Sequence, residues 1–67
     1  METMTGKAAL SVDEAARYLG IGRAHLYRLM DSRRIRGCHI GRRRLLLRSE
    51  LDRYLAERME AEHGAEA

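Results

Sequence analysis

The feature that most constrains this 67-residue chain is Leu19-Gly20-Ile21-Gly22, where two glycines bracket one apolar residue between two runs of helical periodicity. Gly20 supplies a backbone permissive enough to stop a helix sharply, and Ile21 is free to drop into the corner that results. A link this short forces the second helix across the first rather than alongside it. From Arg23 the apolar positions Leu26, Leu29 and Met30 share one face, leaving Arg23, Ala24, Tyr27 and Arg28 to project away from it or along its flanks. Gly22 takes the N-cap position before Arg23, at a cost of only a few tenths of a kcal/mol relative to serine or threonine.

Upstream, Ser11-Val12-Asp13-Glu14 has the form of a capping box, so a helix is expected to start there. Val12, Ala15, Ala16 and Leu19 recur at the spacing of one buried face, and the stretch before them has a weak strand tendency near Ala8 to Leu10. Downstream, the second helix is expected to end near Asp31 to Arg33. From Ile35 the period changes to two, with Cys38 and Ile40 on one side, Gly37 and His39 on the other, and Leu46 on a return strand. This reads as a hairpin whose tip, Gly41 to Arg44, carries three arginines. A last helix is expected to restart at Arg48 with Ser49 as its cap and Leu51, Tyr54, Leu55 and Met59 as its inner face. The expected organisation is therefore a flexible arm over 1–9, one domain over 10–59 and a flexible acidic tail over 60–67.

Composition narrows the functions open to such a chain. Without Phe, Trp or Pro, the core must come from Leu, Ile, Ala, Val and Met, which favours small helices over a large sheet. The single cysteine, Cys38, cannot form an internal disulfide, and this fits a reducing cytoplasm. His25, Cys38, His39 and His63 lack the paired spacing of a structural metal site. No nucleophile, base and orienting partner assemble, so neither catalysis nor a cofactor is expected. No apolar run nears the roughly 20 residues of a membrane span. The net charge of +3 conceals a division: residues 23–48 hold nine arginines and one acid, a formal +8, while the remaining residues carry −5. Charge so concentrated implies one surface made for a polyanion and another kept off it.

The fragments Ser11 to Ile21, Leu26-Tyr27-Arg28-Leu29-Met30, Ile40-Gly41-Arg42-Arg43 and Leu51-Asp52-Arg53-Tyr54-Leu55 stand in an order and spacing that resembles the excisionase family. These are small DNA-binding recombination directionality factors, similar in fold to the MerR-type winged helix-turn-helix. The resemblance covers Ala9 to about Arg58. It implies a mainly α fold with a small β-hairpin, in the order helix, turn, helix, two-stranded wing, helix. It further implies a second helix in the major groove of double-stranded DNA and a wing along the backbone or in the adjacent minor groove. Binding to repeated sites, DNA bending, an integrase steered toward excision and head-to-tail self-association on DNA are also implied, in the cytoplasm of a bacterial host cell and associated with its nucleoid. Two departures from the family pattern stand out: Gly22 replaces the usual serine, and Leu45 lies where a polar or basic residue commonly follows the wing turn.

On that second helix, Arg28 is the first candidate for base readout, because arginine can donate two hydrogen bonds to a guanine edge. Arg23 is the second, or else grips phosphate together with His25 and Tyr27, while Ala24 tolerates close approach to a base. For Tyr27 an equally weighted reading is that its ring covers the helix junction. At the wing, Arg42, Arg43 and Arg44 are expected to supply phosphate and minor-groove contacts, with strand alternation turning one of them back along the sheet. Arg33, Arg34 and Arg36 extend the basic footprint or stay solvated. Two other functions remain open: a small transcriptional regulator of the same fold, and a protein-interaction module using the third helix with Leu45 and Leu47.

Overall fold

Two strand-to-helix junctions frame the molecule, and both follow from what the neighbouring residues can do for a helix's first amides. The computed structural model describes residues 8–64. In chain order the elements are β1 (Ala9–Ser11), α1 (Val12–Leu19), α2 (Arg23–Asp31), β2 (Gly37–Ile40), β3 (Arg43–Leu47) and α3 (Arg48–His63). At the first junction the capping box forms as its spacing predicts. The Glu14 amide donates to Ser11 Oγ at 3.1 Å and the Ser11 amide donates to Glu14 Oε1 at 2.9 Å. Gly20 ends α1 in the left-handed conformation, φ 73°, with the Ile21 amide donating back to the Ala16 carbonyl at 3.0 Å. A side chain at position 20 would be strained there, so the sharp stop depends on glycine.

The sheet has three strands rather than the two of a bare wing. Its order is β1-β3-β2, antiparallel throughout, with Leu46 set between Leu10 on one side and Gly37 on the other. The weak strand tendency near Ala8 to Leu10 thus becomes an edge strand, because β3 offers it a ladder to join. Ala9, placed by sequence in the arm, pairs with Leu47. The hairpin itself turns at Gly41-Arg42, so Arg43 and Arg44 belong to β3 and not to the tip. Gly37 sits in close quarters: a Cβ there would lie 3.0 Å from the Leu45 carbonyl oxygen and 3.1 Å from Met30 Cε, tighter than ordinary contact. The wing therefore seats directly against the end of α2.

Leu10, Val12, Ala15, Ala16, Leu26, Leu29, Met30, Ile35, Leu46 and Leu51 form one continuous core, drawn from all three helices, two strands and the loop after α2. Leu19, Ile21, Tyr27 and Tyr54 pack around it half-buried. Two expectations for α3 are corrected. Ser49 is not its cap; the N-cap is Leu47, without a side-chain bond, and the first amide, Arg48 N, donates to the Ala8 carbonyl at 2.8 Å. Strand pairing brings Ala8 to that position and makes a side-chain cap unnecessary. Leu55 and Met59 are not on an inner face either: they are 41% and 62% exposed, because the small body is already covered by Leu51 and Tyr54. The helix itself continues past Met59 to His63.

Candidate nucleic-acid interface

Burying Leu26, Leu29 and Met30 divides what remains of α2 into two sides. Ala24, His25 and Arg28 face solvent, and among the described residues no ion pair engages Arg28. Arg23 and Tyr27, four residues apart and thus stacked on one face, lie along the side that meets the wing. Gly22 precedes them as an N-cap without a side-chain bond.

The wing-facing side is an ordered array. Arg23 Nη1 pairs with Asp13 Oδ1 of α1 at 3.2 Å and its Nη2 donates to the Tyr27 hydroxyl at 3.4 Å. Both neighbours favour the charged guanidinium, and the pKa of Arg23 is raised by the Tyr27 hydroxyl first and Asp13 second. The guanidinium carbon of Arg23 lies 5.7 Å from the centre of the Tyr27 ring, and that of Arg44, from β3, lies 5.5 Å from the same centre. Strand alternation explains Arg44: the pleat that buries Leu46 turns Arg44 toward the same side, where α2 lies. Arg42 and Arg43 remain exposed at the end of the wing.

The loop between α2 and β2 carries Arg33, Arg34 and Arg36, and it is fastened to α3. Glu50, with only 11% of its side chain exposed, accepts from the Arg36 amide at 3.0 Å and from Arg53 Nη2 at 2.7 Å. Arg53 Nη2 also donates to the Arg34 carbonyl at 2.9 Å, and its Nη1 pairs with Glu57 at 2.6 Å. Chiefly through the Arg53 hydrogen bonds, and despite partial burial, the Glu50 carboxyl is held down at about 2. The Arg36 guanidinium leans toward the same carboxylate at 3.6 Å. Arg33 takes a left-handed backbone conformation, φ 64°, where the chain leaves α2. A cavity of about 460 Å³ opens beside it, between Asp31, Arg36 and Arg44.

Sequence reading missed Asp13, Glu50 and Arg53 as members of this assembly. The i,i+3 spacing of Glu50 and Arg53 was a visible signal. The approach of Asp13 to Arg23 was not, since it depends on how α2 crosses α1. Among the described residues no group of His, Cys, Asp or Glu could hold a metal ion, and no helix is long and apolar enough to cross a membrane.

Comparison with known proteins agrees with this geometry. Residues 9–59 match the family described as helix-turn-helix domain. Over 53 residues the chain is 40% identical to a Saccharopolyspora erythraea protein described as "Probable excisionase", a match covering 79% of this chain and 54% of that one. The chain thus spans about half the length of this curated relative. No solved structure matches. The match takes in the two helices joined at Gly20–Gly22, the hairpin wing and most of the closing helix, and the chain belongs to the helix-turn-helix domain family, a DNA-binding architecture.

Proposed function

We propose that this chain is a sequence-specific architectural DNA-binding protein of the excisionase type, which binds repeated sites, bends the DNA and directs an integrase toward excision. The observation that carries this reading is the division of α2. One side, Ala24, His25 and Arg28, faces outward with Arg28 outside any ion pair among the described residues, while the other is tied to α1 and the wing. An outward arginine in the last turn of α2 suits bidentate donation to guanine O6 and N7. Arg42 and Arg43 at the end of the wing suit the backbone or a neighbouring minor groove, and Arg33, Arg34 and Arg36 extend the positive footprint beyond α2. The excisionase assignment draws support from the curated relative, and work beside an integrase or a neighbouring copy draws support from the apolar side chains left uncovered at Leu47, Leu55 and Met59.

The test is binding of wild type and Arg28→Ala to a native repeat and to a scrambled duplex. Arg28→Ala is expected to weaken binding to the native repeat by about 1 to 3 kcal/mol and to relax preference at one base pair, with little change on the scrambled duplex. Equal losses on both duplexes would reduce Arg28 to a phosphate-binding role. Promoter repression without any effect on integrase-mediated excision would make the chain a transcriptional regulator.

A further inference from the structure

We infer that the seam between α2 and the wing is a seat for one sugar-phosphate strand, and that Tyr27 is its positioning residue, holding Arg23 and Arg44 as a single two-cation unit. The inference rests on the DNA-binding reading above. A helix in one groove and a wing in the next must straddle the strand that separates the two grooves, so a phosphodiester has to lie along this seam. The residues the fold places there are Arg23 from the start of α2 and Arg44 from β3, each within 6 Å of the Tyr27 ring centre.

Two guanidinium groups brought this close repel each other, and three features offset that repulsion. The negative face of the ring attracts both cations. The Tyr27 hydroxyl accepts from Arg23 Nη2, and Asp13 pairs with Nη1 of the same guanidinium. Tyr27 is itself fixed by packing half-buried against the core. Its ring therefore does more than cover the helix junction: it orders two long side chains before any ligand arrives, which removes part of the entropy cost of binding a phosphate. Neither arginine requires the other for its fold, since one is anchored by α1 and the other by the strand register. Among the described residues, the Tyr27 ring is the group that both approach.

The experiment compares Tyr27→Phe, which keeps the ring, with Tyr27→Leu, which keeps apolar bulk but no ring, after melting curves confirm that both fold. In the free proteins, the δ-methylene protons of Arg23 and Arg44 should be shifted upfield by the ring in wild type and Tyr27→Phe, and should return to ordinary values in Tyr27→Leu. On a native duplex, Tyr27→Leu should bind about tenfold more weakly, and its salt slope should fall by about one for each phosphate that the arginines cease to neutralise, while Tyr27→Phe stays close to wild type. Because Arg23 and Arg44 act as a unit, Arg23→Ala with Arg44→Ala should lose less than the product of the two single losses in wild type, and the full product in the Tyr27→Leu background. Multiplicative losses in the wild-type background, or wild-type binding by Tyr27→Leu, would overturn the inference even though the protein binds DNA. Absence of salt-sensitive binding to any duplex would overturn the DNA-binding reading and this inference with it, whatever the proton shifts show.

Discussion

Helices α1 and α3 each spring from the last residue of a strand, and those strands, β1 and β3, are paired with each other. They nevertheless begin in opposite ways. At α1 the glutamate in the third helical position, Glu14, folds back onto the Ser11 amide, and four consecutive residues complete the start. At α3 the glutamate in the same position, Glu50, reaches outward to Arg53 and to the Arg36 amide, while the first amide of the helix goes to Ala8, forty residues upstream. The same residue type at the same helical position thus closes a local turn in one case and fastens a distant loop in the other. One consequence is that the helix-turn-helix half is specified by its own sequence, whereas α3 sets the wing and the α2–β2 loop in place only through tertiary contacts.

The sharpest way to break this contrast is through Leu46, which lies between both neighbouring strands and is 1% exposed. Leu46→Ala is expected to cost about 2 to 5 kcal/mol, the range for a buried leucine truncated where the surroundings cannot collapse. In a domain this small that loss is enough to unfold much of the population at moderate temperature, read as a lowered and broadened melting transition. A melting curve like that of wild type would show that the wing and α3 do not depend on the shared strand.

Glu50 gives the next effect. Its carboxyl stands at about 2 in the folded protein against an ordinary 4.5, so the folded state favours the carboxylate. The resulting stabilisation is complete above the ordinary value and is lost as pH falls from there through about 2. Glu50→Gln is expected to cost about 1 to 3 kcal/mol near neutral pH, and the gap in melting temperature between it and wild type should close as the pH is lowered across that interval. A gap independent of pH would mean that the charge is not what fastens the loop.

Legibility in the sequence follows the same division. The capping box, the glycine stop, the Leu26, Leu29 and Met30 face and the hairpin are all readable, because each depends on residues within a few positions of one another. Ser49 reads as a cap because it stands before a periodic run, but Ala8 supplies the acceptor once β1 has paired. Leu55 and Met59 have helical spacing but remain largely exposed, so periodicity overstates the width of the buried stripe. At the interface, alternation foretells that one wing arginine turns inward. The register that makes it Arg44, and the crossing that brings Asp13 to Arg23, emerge only in three dimensions.

The smallest effects are expected at two serines, and together they isolate the contrast most cleanly. Ser11→Ala removes the acceptor for the Glu14 amide, leaves Glu14 to cap alone, and should destabilise the protein by about 1 kcal/mol. Ser49→Ala removes a hydroxyl from an exposed position inside the first turn of α3, where the leading amide is already satisfied by Ala8, so its effect should stay within about 0.5 kcal/mol. Alanine also has the higher helix propensity, which pushes the second substitution toward neutrality or slight gain. Chemical denaturation of the two variants side by side measures the difference directly. Equal losses would mean that Ser49 contributes a cap after all and that the two helices begin alike; a loss confined to Ser11→Ala would locate the start of α3 in the pairing of β1 with β3.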